Sequence, residues 1–301
     1  RQGVVRQNEE HILKMKIHSA IFGFMAFLCC VSCGRAVSVL DGTYTLDKVI
    51  EVEGRQGVAT DGEFYYISGS TALYKYDMDG NLIAQNEEPF KDLHLECNHI
   101  GDIDEYDGEI YAGCEYFLDG VGKNIQTVIY DAKTLEYKRS IPWVPESGQV
   151  ECCGLAVDRD RQEVWMADWV QGSELYCYDL KTGKYLRNLT LSPAPRLQQG
   201  IYSVDGQMLI SCDDGDAEKG EPDNLYKADL KTGEVSLFRS MDDFIMTGEI
   251  EGLTMNPKNG DLIVMSNRGA RIILGMPKGF YPGYDREIHD IYVYKVDNNN
   301  R

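Results

Sequence analysis

Short runs of alternating apolar and polar residues, each cut off by an Asp, Asn or Gly turn, fill the chain from about residue 44 to its end. Such runs predict short β-strands, and no stretch there keeps the 3.6-residue apolar period of a helix. One element recurs as LYKYDMDGN (73–81), TVIYDAKTLE (127–136), LYCYDLKTGK (175–184), LYKADLKTGE (225–234) and IYVYKVDNN (291–299). From Tyr76 it steps to Tyr130, Tyr178, Ala228 and Tyr294, about fifty residues at a time until a longer last step. A second element precedes each copy: QGVATDGEFYYIS, IGDIDEYDGEIYAG, CGLAVDRDRQEVWMA, QGIYSVDGQMLIS and EGLTMNPKNGDLIVMS. Each reads as a strand, a tight turn and a second strand. Four short strands per repeat is the pattern of a β-propeller blade. Five copies predict an all-β, five-bladed β-propeller. A six-bladed ring with one degenerate blade is the alternative, but no gap of about fifty residues would house it. One strand is left over, residues 44–53 (YTLDKVIEVE). Pairing with the carboxyl-terminal blade would close the ring and remove an exposed sheet edge.

The amino end departs from this pattern. After Met15 and Lys16, residues 20–31 (AIFGFMAFLCCV) form an apolar run too short to span a bilayer but suited to a secretory signal peptide. Gly34 and Ala36 supply small residues for cleavage after Ala36. Residues 1–36 are therefore expected to be upstream residues plus a signal peptide, and residues 37–301 a single propeller domain in a secreted protein. A lipid anchor through Cys33 is the alternative. The formal net charge is −19. Five of the 30 Lys and Arg and two of the 49 Asp and Glu lie in residues 1–36, so the remainder carries −22. So acidic a surface repels nucleic acid and anionic membrane, and no apolar run after residue 36 is long enough to cross one. A small-molecule ligand is the expected partner.

Blade topology gathers residues. An inner strand starts at one face of the disc and the second strand returns to it, so two groups should meet at one mouth of the channel. The first is Gln56, His99, Glu151 with Cys152 and Cys153, Gln199 and Glu251; the second is Ser68, Cys114 with Glu115, Asp168 with Trp169, Asp213 with Asp214, and Asn267 with Arg268. Asp102 lies just inside the second inner strand. The acids there would repel one another unless paired, hydrated or bound to a cation; hard oxygen donors beside amide carbonyls suit Ca²⁺, and capping of turns is the plainer use. Glu251, Asp102, Asp213 and Asn267 are the candidate metal ligands. His99 is the only histidine placed at this mouth and could act as general base, with Glu251 and Glu151 as further candidates for proton transfer. Gln56, Asp168, Trp169, Gln199 and Arg268 are candidate ligand contacts. The opposite mouth receives mostly Asp-Gly turns.

Six cysteines follow residue 36: Cys97, Cys114, Cys152, Cys153, Cys177 and Cys212. An even number in a secreted chain predicts disulfides. Adjacent strand residues face opposite ways, so Cys152 and Cys153 would find different partners, with a vicinal bridge as the alternative; neither CxxC nor clustered His suggests zinc. Two long interruptions, 213–224 and 268–290, are loops of the kind that carry function over a rigid scaffold. No GxSxG, HExxH or phosphate-cradling glycine loop occurs. Asn188 is the only glycosylation acceptor.

The recurring G-[LV]-A-x-D and L-Y-x-Y-D-x-K-T-G pattern resembles the propeller superfamily of gluconolactonase-like, strictosidine-synthase-like and YVTN-type proteins, with EGLTMNPKNGDLIVMSNR its most suggestive stretch. That resemblance implies a calcium-dependent esterase or lactonase with Glu251 and Asn267 at the metal, although those relatives have six blades. A second resemblance, to the plant and bacterial glutaminyl cyclases, fits five blades. RQGVATDGEFYYIS is similar to the opening of their first blade, a Phe-Thr-Gln-Gly motif, and places Gln56 at its glutamine. ECCGLAVD is a distorted form of their Glu-Gly-Trp-Gly-Leu-Thr motif, with Glu151 at the acid, while QQGIYSVDG stands where their Asn-Glu-Leu-Glu motif belongs. The favoured expectation is a Ca²⁺-dependent small-molecule hydrolase of esterase or lactonase type, with a cyclase-like enzyme and a ligand- or protein-binding propeller without chemistry as the alternatives.

Overall fold

Five antiparallel sheets of four strands follow one another around a central channel, in a computed structural model that describes residues 38–118, 120–169, 172–245, 247–273 and 276–297. The leader and Cys33 readings fall on residues 1–37, outside the described residues. Blade one spans residues 57–86, blade two 99–142, blade three 154–190 and blade four 198–240, each in simple up-and-down order. Blade five takes its outermost strand from the amino end: Thr43–Glu51 pairs with Ile288–Asp297, Tyr44 opposite Val296 and Ile50 opposite Ile291. The ring therefore closes as the leftover strand predicts, with five blades rather than six. No helix among the described residues is long and apolar enough to cross a membrane.

Burial explains why the inner strands read as apolar runs while the outer ones alternate. Gly57–Thr60, Gly154–Asp158 and Ile250–Met255 are buried at every position, because neighbouring blades cover both faces. Tyr185–Thr190 and Val235–Ser240 each keep solvent-facing residues. The apolar side chains sort into five cores, each shared by two adjacent blades. Lower-face turns owe their Asp-x-Lys-Thr-Gly sequence to capping: Asp229 Oδ1 accepts the amides of Lys231 (2.8 Å) and Thr232 (2.9 Å), and those amides help hold its carboxyl below the usual range.

The expected disulfides are absent. All six described cysteines are free and buried. Cys152 joins the core between blades two and three, and Cys153 the core between blades three and four, so alternation sends them apart as expected but toward apolar neighbours. Cys152 behaves as a small hydrophobic side chain, whereas Cys153 also borders a polar cavity and donates its thiol to the Ala167 carbonyl at 3.3 Å.

Glycines at the starts of the inner strands let the strands meet. A Cβ on Gly200 would lie 2.5 Å from Gly252 Cα, and one on Gly57 would lie 2.6 Å from the Ile103 nitrogen. Asp102 fills the space these glycines leave. Its Oδ1 accepts the Ile103 amide (2.9 Å) and its Oδ2 the Ile201 amide (3.0 Å), while its own N–H donates to the Cys153 carbonyl (2.8 Å). Below it Arg159 grips Asp104 through two nitrogens, at 2.7 and 3.2 Å, and lies over the Tyr202 ring. Asp102 and Arg159 thus pack the channel from within, and the opposite end forms a cup.

Candidate functional site

The cup is a cavity of about 140 Å³ to which all five blades contribute. Seven residues named from the sequence line it: Gln56, His99, Glu151, Cys153, Trp169, Gln199 and Glu251. They meet because each sits where an inner strand begins or a second strand ends, the same height on every blade. Arg55, Ser70, Phe117 and Glu249 also line it and were not anticipated. Arg55 and Glu249 lie one and two residues from expected positions, which was the only signal the sequence held.

His99 is held from behind. Its Nδ1 lies 3.2 Å from Glu115 Oε1, and the other Glu115 oxygen accepts the Cys152 amide at 3.0 Å. Glu115 is fully buried, whereas the His99 side chain is 22% exposed, so the ring is anchored at one nitrogen and open at the other. Nε2 has no hydrogen-bond partner among the described residues. A carboxylate on Nδ1 fixes that nitrogen as the protonated one and leaves Nε2 able to accept a proton.

Glu151 is buried and accepts the Trp169 amide at 2.7 Å. Burial pushes its carboxyl well above the usual range, and the nearby Glu115 carboxyl adds to the effect. Asp168 lies behind it: Oδ1 accepts the Glu151 amide (3.2 Å) and Oδ2 the Tyr176 hydroxyl (2.7 Å). Burial raises Asp168 to about 6. It holds the Glu151 segment rather than lining the cavity.

Across the cavity Glu251 accepts a hydrogen bond from Asn267 Nδ2 at 2.6 Å and faces Arg55 at 3.8 Å. Burial raises its carboxyl well above the ordinary range, and Arg55 opposes the rise. Arg55 reaches three acids in all, with Nη2 3.2 Å from Glu249 and Nε 3.2 Å from Glu287. Burial also lifts Glu249, to about 7, against the pull of Arg55.

The four candidate metal ligands do not share one space. Asp102 spends its oxygens on amides below the cup, Glu251 is engaged by Asn267 and Arg55, and Asn267 stands behind Glu251. Asp213 lines a separate cavity of about 270 Å³, walled by both long interruptions and joined to the cup by Glu249. Among the described residues no group of three or more His, Cys, Asp or Glu side chains is arranged to hold a metal ion. Arg268 points away as well, its Nε on Asp290 at 2.5 Å.

No protein-family model and no characterised protein matches the chain by sequence. Its likenesses are to solved structures. The Myxococcus xanthus glutaminyl cyclase superposes with a TM-score of 0.56 at 9% identity, covering 85% of this chain and 97% of that one. Kuenenia stuttgartiensis hydrazine synthase gives a TM-score of 0.44 at 10% identity, over 84% of this chain and 65% of that one. At such identity the first likeness is one of fold, a propeller shared over nearly the whole of both molecules.

Proposed function

We propose that the cup is an acid–base site of glutaminyl-cyclase-like type, with His99 as the residue that carries the proton. The observation that supports it most is the His99–Glu115 pair: one ring nitrogen on a buried carboxylate, the other free beside Glu151, Glu251 and the two glutamines. In this reading the free amine of an N-terminal glutaminyl residue attacks the carbon of its own side-chain amide. The amine proton passes to His99 Nε2, the new C–N bond closes a lactam, and the amide C–N bond breaks. His99 then returns the proton to the departing nitrogen, which leaves as ammonia. Glu151 and Glu251 are placed to hold the amine, and Gln56 and Gln199 to hydrogen-bond the amide. The fold likeness to a glutaminyl cyclase and the position of Gln56 in RQG favour this reaction over ester hydrolysis.

The test is incubation with short peptides bearing N-terminal glutamine, following ammonia release and the matching mass loss. Turnover should fall by about a hundredfold or more in His99→Ala, with the fold intact. No ammonia from the wild type, or equal turnover by His99→Ala, would end this reading.

A further inference from the structure

We propose that Arg55 is a catalytic residue of the cup, binding the ligand's carbonyl oxygen through Nη1, and that the cup therefore takes a neutral amide or lactam carbonyl in preference to a carboxylate. The inference rests on the acid–base reading above and assigns a residue that neither the sequence nor the fold likeness pointed to.

The guanidinium is only partly used. Nε donates to Glu287 Oε1 and Nη2 to Glu249 Oε2, both at 3.2 Å, with Glu251 Oε1 at 3.8 Å from the same Nη2. Nη1 has no hydrogen-bond partner among the described residues, although Arg55 lines the cavity and its side chain is 21% exposed. Three carboxyl groups therefore hold the fork in place and leave one end of it unspent. An arginine fixed in this way presents donors that need no reorganisation when charge develops on a nearby oxygen.

The surroundings choose the ligand's charge. Glu151, Glu249 and Glu251 line the same cavity as this single guanidinium. A ligand carboxylate would meet a guanidinium already paired with Glu249 and Glu287, whereas a neutral carbonyl brings no charge of its own and gains from Arg55 as its oxygen becomes negative. In the cyclisation step, the π electrons of the side-chain amide move onto oxygen as the amine adds. Arg55 Nη1 holds that oxygen until the carbonyl re-forms and ammonia departs, so no further reagent is required.

Two experiments separate this inference from the reaction it rests on. The first titrates 2-pyrrolidinone, a neutral lactam, and acetate into the full chain while following the Arg55 side-chain nitrogens by NMR. A saturable shift with pyrrolidinone is expected, with binding at least about tenfold weaker in Arg55→Lys, which keeps the charge but loses the fork, and little response to acetate. Because replacing Arg55 also loosens three acids, the structural control is the urea midpoint of Arg55→Lys, which should stay close to that of the wild type while binding falls. Unmoved Arg55 signals, or equal binding by Arg55→Lys, would each overturn the proposal. The second experiment is turnover of the glutaminyl peptide, where Arg55→Lys should lose about a hundredfold in kcat with KM nearly unchanged. Absent wild-type turnover together with an Arg55-dependent pyrrolidinone shift would sink the reaction assignment and leave the carbonyl site standing.

Discussion

His99 and Glu115 face each other as partners in the ladder of blade two, and there Nδ1 comes within 3.2 Å of a carboxylate that is wholly buried. The imidazole is thus oriented by the sheet itself. Glu115→Gln keeps an oxygen for the Cys152 amide but removes the charge that favours a protonated Nδ1. Turnover should drop by roughly tenfold or more with the fold intact, because the ring loses the acceptor that fixes Nδ1 as its protonated nitrogen. Turnover equal to the wild type's would mean that Glu115 is merely packing.

Asp102 is the keystone of the channel, and its two oxygens serve two different inner strands. Asparagine has one acceptor and one donor at that end, so Asp102→Asn would set an NH₂ against a backbone N–H. The expected cost is about 2 kcal/mol, measured as a lower urea midpoint with an unchanged slope. A variant as stable as the wild type would show that the amides there have other acceptors.

Asp213 and Asp223 are half-buried together in the cavity beside the cup. Burial first, then the charge of the neighbouring acids, raises Asp213 well above the ordinary value, and burial takes Asp223 from 3.8 to about 7. A carboxyl that keeps its proton longer when folded favours the folded state below its unfolded pKa, and that advantage is lost as pH rises through about 7. Asp213 has no hydrogen-bonding side-chain partner among the described residues, so Asp213→Asn removes repulsion and little else. The melting temperature should rise by about 3 °C at pH 8 and by clearly less at pH 5, as scanning calorimetry would register. A uniform change at both values would point to packing instead of charge.

Closure of the ring depends on a strand almost 250 residues distant from its partner, with Lys295 also reaching Asp47 at 2.8 Å across that seam. Removing residues 38–51 should leave Ile288–Asp297 as an open edge, broaden the unfolding transition and promote aggregation. A truncated chain that melts as sharply as the intact one would show that the seam is dispensable.

Much of this was legible in the chain alone. A repeat of about fifty residues, with strand alternation and Asp-Gly turns, determined the blades, their number and the leftover closing strand, because each blade's pattern is local. The same periodicity set which residues stand at the starts of inner strands, and so brought Gln56, His99, Glu151, Gln199 and Glu251 to one cup. What each side chain does there belonged to the tertiary structure. Arg55 meets Glu249 across 194 residues of sequence, and Asp102 meets the Ile201 amide across 99. Only closing the ring sets such distances. That closure turned Asp102 from an expected metal ligand into a clasp between strands, placed Asn267 behind Glu251, and sent Arg268 outward to Asp290. It also decided the question posed by Cys152 and Cys153: alternation points them apart, and the blades on either side offer each thiol an apolar core instead of a second sulfur.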